Sequence, residues 1–108
     1  MFYKSSNDGF INPLDGIELK TLTYGDKMSL TEFRLEKGHD LPAHEHPHEQ
    51  IGYLVSGRIE LTIGDQVFQT APGDSWCIPG GVRHGAKVYE DSVAVEVFSP
   101  VRDDYINK

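Results

Sequence analysis

The chain has 108 residues and a mass of 12.1 kDa, room for one compact domain and none for a separate cofactor-binding domain. Its 10 basic and 17 acidic side chains give a net charge of −7 and a pI near 5.0, which argues against binding to nucleic acid or to an anionic membrane surface. One cysteine, Cys77, rules out an intrachain disulfide. The N-terminus lacks a signal-peptide pattern, and no apolar run reaches the ~18–20 residues of a membrane span, so the expectation is a cytoplasmic protein.

Glycines and prolines punctuate the chain at short intervals, and the stretches between them alternate polar with apolar residues. That is strand periodicity. Ile17 to Tyr24 puts Ile17, Leu19, Thr21 and Thr23 on one face, and Gly25-Asp26 reads as a turn. From Met28 to Lys37, the row Ser29, Thr31, Phe33, Leu35 alternates with Leu30, Glu32, Arg34. Ile51 to Val55 and Arg58 to Ile63 read as two strands joined through Ser56-Gly57. Gly64-Asp65 suits a tight hairpin, because both residues tolerate positive φ. Val67–Thr70, Ser75–Ile78, Gly85–Tyr89 and Val93–Phe98 complete the series, and Val101–Ile106 is a short helical turn after Pro100. About eight short strands with frequent turns predict an all-β sandwich or barrel.

Three histidines cluster in Pro42-Ala43-His44-Glu45-His46-Pro47-His48-Glu49-Gln50. On a strand, residues two apart share a face, so His44 and His46 project two imidazoles into one space, which suits metal capture. A solvated histidine pair in a loop is the bland alternative. His84 follows Pro79-Gly80-Gly81, where the glycines permit a sharp turn and a close backbone approach. On the last strand, Ala94, Glu96 and Phe98 share one face and Val93, Val95 and Val97 the other. A carboxylate beside a phenyl ring on an inward face would be held protonated more readily and could shuttle protons. An exposed glutamate is the alternative. Arg102 reads either as a two-pronged carboxylate binder or as a surface arginine paired with Asp103 or Asp104. Trp76, Phe33 and Phe68 read as core or interface, and Cys77 as an inert packing residue.

At these positions the chain resembles the cupin superfamily. Gly38, His44, His46, Gln50 and Gly57 follow the first cupin motif, G-x5-H-x-H-x3-4-E-x6-G, with Gln in place of Glu. Gly73, Pro79, Gly81 and His84 follow the second, with Val88 in place of its final Asn. The resemblance implies a single-domain cupin over 1–108, a double-stranded β-helix or jelly-roll barrel, with motifs at 38–57 and 73–88. It implies one divalent ion (Zn, Ni, Mn or Fe) held by His44, His46, Gln50 and His84. Gln50 would bind through its amide oxygen; a plain interior hydrogen-bonding side chain is the alternative.

Two stretches are similar to the pectin-degradation cupins that linearise unsaturated uronates. His44 to Gln50 matches their H-x-H-P-H-x-Q pattern, with Tyr53 three residues on. Glu96-Val97-Phe98-Ser99-Pro100-Val101-Arg102-Asp103-Asp104-Tyr105 resembles their D-V-F-x-P-x-R-x-D-F/Y tail, with Glu for Asp. That likeness implies Glu96 and Arg102 as catalytic groups and Phe98, Arg34, His48 and Tyr53 as substrate contacts. The expected reaction converts a 4,5-unsaturated uronate, a small acidic sugar, from cyclic hemiacetal to linear keto acid. A small-molecule-binding or sensor cupin without turnover, or a metal-dependent dioxygenase, are the competing readings. The valine face of the last strand, and the family's habit of pairing through such sheets, imply a homodimer.

Overall fold

A computed structural model describes residues 1–106. Positions 107 and 108 of the expected domain lie outside the described residues. Eight antiparallel strands form the fold: β1 (Ile11–Leu14), β2 (Ile17–Tyr24), β3 (Ser29–Leu35), β4 (Leu41–His44), β5 (Glu49–Ile63), β6 (Gln66–Gln69), β7 (Ser75–Ile78) and β8 (His84–Ser99). A 3₁₀ turn follows at Asp103–Tyr105, shorter than the helical turn expected there. No helix among the described residues is long and apolar enough to cross a membrane.

The strands run in the order β1-β2-β3-β8-β5-β6, with β4 on β8 and β7 on β5. This is the all-β fold that the alternating pattern predicts, in the jelly-roll form that the cupin likeness implies. Two long strands dominate it. The sequence predicts breaks at Ser56-Gly57 and between Tyr89 and Val93, yet β5 has 15 residues and β8 has 16. The pair stays in register from Glu49↔Ser99 to Ile63↔His84, with shifts around Ser56 and Arg58. These are β-bulges, which bend a strand without ending its ladder. Gly57 takes φ 91°, and a Cβ there would lie 2.1 Å from Ser92 Oγ, so only glycine fits the bend. Each long strand serves both walls. The first half of β5 pairs with β7 and its second half with β6. The first half of β8 pairs with β4 and its second half with β3.

Strands β1 and β4 lack a sequence signal because each is only four residues long and contains a proline, Pro13 or Pro42. Proline removes a ladder donor and is tolerated in short edge strands.

Inward residues of both walls make one core: Ile17, Leu19, Phe33, Leu35, Leu54, Ile59, Leu61, Ala86, Val88, Ala94 and Phe98. Alternation is kept on β3, where Ser29, Thr31, Phe33 and Leu35 are buried, and on the second half of β8, where Ala94, Glu96 and Phe98 are buried and the valines half-buried. Cys77, expected to pack inside, is exposed; its neighbour Ile78 takes the inward position instead.

Core and surface positions should separate sharply in urea unfolding. Leu54 is 0% exposed and Val67, on β6, is 58% exposed. Leu54→Ala should cost about 2–5 kcal/mol, and Val67→Ala no more than about 0.5 kcal/mol. Equal costs at both positions would contradict the core described here.

Candidate metal centre

His44 ends β4, whereas His46 lies in the loop beyond it. The two imidazoles therefore do not meet through strand alternation, as the sequence suggests. Loop packing brings them together. The His46 carbonyl accepts a hydrogen bond from Gly81 N–H at 2.8 Å. A Cβ at Gly80 would lie 2.3 Å from the Pro47 carbonyl oxygen. The two glycines before His84 thus let the two motif loops close on one another, which places His84 beside His44 and His46. Ring centroids are 4.4 Å apart for His44–His84, 4.9 Å for His46–His84 and 5.7 Å for His44–His46. One nitrogen from each lies within 4.8 Å of the others.

The hydrogen bonds fix the tautomers. Nδ1 of His44 faces the Pro42 carbonyl at 2.9 Å, Nδ1 of His84 the Val82 carbonyl at 2.9 Å, and Nδ1 of His46 the His48 carbonyl at 3.1 Å. A carbonyl only accepts, so each Nδ1 carries a proton, and a neutral ring held this way presents its Nε2 lone pair. Burial, reinforced by the positive Arg102 guanidinium, holds His46 and His84 below the ordinary imidazole pKa, which keeps these rings neutral. His84 Nε2 is buried without a partner. His46 Nε2 stands 3.0 Å from Gln50 Oε1, so two acceptors face each other. A shared cation resolves both features. Three imidazole nitrogens and an amide oxygen are a donor set that a divalent first-row ion accepts, and the residues present fit one.

The inward positions of β5 and β8 carry the rest of the site. Gln50 is opposite Phe98, and Gly52 is opposite both Glu96 and Trp76. Glu96 is 7% exposed. Its Oε1 accepts from Gln50 Nε2 and from Trp76 Nε1, the latter at 3.0 Å. Both donors converge on one oxygen, and Glu96 lines the cavity. Burial pushes the carboxyl above the usual carboxylate range, against the opposing pull of Gln50, Trp76 and Arg102. The exposed alternative for Glu96 is thereby excluded.

Arg102 is 8% exposed. It does pair with Asp104, donating from Nε at 2.9 Å and Nη2 at 2.8 Å, but it is no surface arginine. Its guanidinium lies 4.0 Å from the Tyr105 ring centroid and 4.9 Å from that of Phe98, and Nη1 is buried without a partner. Asp104 thus holds one side of the fork and leaves the other free. His48 sits beside the cluster, 5.5 Å from His46 and 6.5 Å from Phe98 between ring centroids.

Two expected substrate contacts lie elsewhere. Tyr53 occupies an outward position of β5 and is 48% exposed. Arg34 points outward from β3, where Phe33 and Leu35 take the inward positions. It donates to Glu32 at 2.9 Å and to Asn7 at 3.0 Å, and stacks on Phe10 at 3.9 Å. Strand parity excludes both from the interior. Trp76 and Tyr105 are the site residues that the sequence reading passes over. The available signal for Trp76 was Gly52, an inward position with no side chain of its own. A Cβ at Gly52 would lie 2.1 Å from Trp76 Nε1, so the indole crosses that gap to reach Glu96.

Gln50, Trp76, His44, His84, Glu96, Phe98, Arg102 and Tyr105 all border one cavity of about 60 Å³. That is far below the ~300–1,000 Å³ of pockets that engulf a drug-sized ligand. It suits an ion together with the acidic or reacting end of a small molecule whose remainder sits in the mouth.

The family pattern described as "Cupin domain" matches residues 31–100. The chain belongs to the cupin family. It is 31% identical over 94 residues to the pectin degradation protein KdgF of Dickeya dadantii (strain 3937), covering 85% of this chain and 86% of that protein. Its structure superposes on that of KdgF from Halomonas sp. with a TM-score of 0.90 and 29% identity, covering 96% and 98% of the two chains. An RmlC-like cupin from Shewanella frigidimarina NCIMB 400 shares the fold at a TM-score of 0.91 and 24% identity, covering 97% and 95%. The protein is thus a small cupin related to KdgF, with a three-histidine cluster suited to a metal.

The Arg102–Asp104 pair has a pH signature. Its hydrogen bonds to Arg102 hold Asp104 below the ordinary value of 3.8. A depressed folded pKa means stability that is complete above the ordinary aspartate range and lost as pH falls through the folded value. Asp104→Asn should therefore unfold at lower urea than wild type at pH 7, and the gap should close as pH falls below the ordinary aspartate range. A gap independent of pH would show that the charge of Asp104 does not matter.

Proposed function

We propose that this cupin is a metal-dependent enzyme that converts a 4,5-unsaturated uronate from its cyclic hemiacetal to the linear keto acid. One observation carries the reading. The cluster of three imidazoles adjoins a cavity that two of them, His44 and His84, line together with the Glu96 carboxyl, whose two donors share one oxygen, and the Arg102 guanidinium, whose Nη1 is unpaired. A uronate presents ring oxygens and a carboxylate to such a set. The kinship with KdgF, a pectin degradation protein, supports the same assignment.

The reaction is an isomerisation and needs no oxidant. The hemiacetal C1–O5 bond breaks, the C1 hydroxyl loses its proton to become the aldehyde, and O5 leaves as an enol. The enol proton departs while C4 gains one, giving the C5 ketone. A divalent ion held by His44, His46, His84 and Gln50 would supply Lewis acidity toward the sugar oxygens. Glu96 lines the cavity, and its second carboxyl oxygen, Oε2, takes and returns the protons. Arg102 Nη1 donates to the substrate carboxylate while Asp104 keeps the guanidinium in place. Phe98 forms the apolar wall between them, and His48 packs edge-on against Phe98 and His46.

Wild-type protein prepared with divalent metal should carry about one ion per chain and should speed the loss of the 4,5-ene absorbance above its spontaneous rate. His44→Ala/His46→Ala should strip the ion. Glu96→Gln should lower kcat by about 10²–10⁴-fold and leave metal content intact, and Arg102→Ala should act chiefly on KM. Metal-loaded wild type that does not exceed the spontaneous rate would overturn the uronate reading in favour of a binding module or an oxygenase, which oxygen uptake with ferrous iron would distinguish.

We further infer a cytoplasmic homodimer. The outward residues Ile51, Tyr53 and Val55 of β5 are exposed. Ile51 and Tyr53 adjoin Val97 and Val95 of β8 in register, which makes a continuous apolar strip on one wall. Such a strip on a small acidic protein is covered by a second copy, and the single exposed Cys77 fits a reducing compartment. Light scattering at micromolar concentration should give twice the chain mass, and Tyr53→Lys should give the monomer; a monomeric wild type rejects the dimer.

A further inference from the structure

The geometry points to Glu96 and Trp76 as positioning residues that set the amide of Gln50 and, through it, the affinity of the centre for its ion. This rests on the reading that the imidazole cluster holds a divalent ion, and it adds a role that metal ligation by itself does not require.

An amide side chain has one accepting and one donating end. Which end faces the imidazoles decides whether Gln50 attracts a cation or repels it. Nothing on Gln50 itself makes that choice. Glu96 makes it: a carboxylate oxygen accepts, so the Gln50 NH₂ turns toward Glu96 Oε1, and Gln50 Oε1 is left facing His46 Nε2 at 3.0 Å. Glu96 in turn is held by an obligate donor, the Trp76 indole N–H at 3.0 Å on the same oxygen. Trp76 arrives from β7, on the far side of β5 from β8, and crosses at Gly52, the residue paired with both. The result is one directed row: Trp76 donates to Glu96, Gln50 donates to Glu96, and the Gln50 oxygen is presented to the cluster. Each member is in place by strand register, and Gln50 and Glu96 are buried. Solvent therefore does not compete for the amide.

Fixing a ligand's orientation from behind typically alters metal affinity by about 10–100-fold. Zinc titration of the apo protein against a chromophoric chelator reads this without any turnover. Glu96→Leu removes the acceptor and should weaken zinc about 10–100-fold. Glu96→Gln keeps an acceptor oxygen in the same place and should stay within about threefold of wild type. Because the effect passes through Gln50, Glu96→Leu should have no further effect in a Gln50→Ala background. Equal weakening in both backgrounds, or unchanged affinity in Glu96→Leu, would overturn the role. If Glu96→Leu does not fold, exchange of the Gln50 side-chain amide protons in wild type decides: slow exchange, lost in Trp76→Phe/Glu96→Gln, is expected, and solvent-like exchange in wild type would refute the arrangement. Failure of wild type to bind zinc would remove the metal reading itself, whereas zinc binding without coupling removes only the positioning role.

Discussion

The candidate site hangs on the antiparallel β5–β8 ladder. Gln50 faces Phe98, Gly52 faces Glu96 and Ile63 faces His84 across it. A one-residue slip would send every one of these side chains to the opposite face. The slip is opposed by the core, since Leu54 before the bulges, Ile59 and Leu61 after them, and Val88 and Ala94 on β8 all take the inward face and are all buried. The apolar residues that make the barrel cohere therefore also place the polar groups of the centre. The bulges near Ser56 let this one ladder pass from one wall to the other, so ligands from both ends of the fold converge.

Electrostatics then shape what the register assembles. A barrel interior disfavours charge, and the site responds in two ways. Burial keeps His46 and His84 neutral, and the Nδ1 of each of the three clustered histidines faces a backbone carbonyl. Its two ionisable side chains, Glu96 and Arg102, are each partly compensated: Glu96 by two N–H donors, Arg102 by Asp104 and two aromatic rings. Neither is saturated. Each keeps one free polar atom at or near the cavity, which is the condition for binding a ligand rather than merely surviving burial.

The glycines connect these two levels. Gly52 leaves room for the Trp76 indole, Gly80 for the Pro47 carbonyl, and Gly57 for the bend against Ser92. In each case the missing side chain is what allows another group to occupy its place. Glu96 reaches Gln50 and Trp76 from β8 across the position that Gly52 leaves open.

Much of this was legible in the amino-acid sequence, because strand alternation reports burial directly. The all-β class and the shared face of Ala94, Glu96 and Phe98 follow from local periodicity, and the set of His44, His46, Gln50 and His84 from the likeness to the cupin motifs. Where the signal was non-local, it failed. Bulges join into one strand the two segments that flank Ser56-Gly57, and proline hides the edge strands β1 and β4. The likeness that nominated Tyr53 and Arg34 carried no strand parity, and parity turns both outward. The sequence by itself determined which residues are polar on an inward face. Only the tertiary structure decided which of them meet, because the His46–His84 approach, the Trp76–Glu96 hydrogen bond and the Arg102–Phe98 contact each join segments whose separation along the chain contains no information about distance in space.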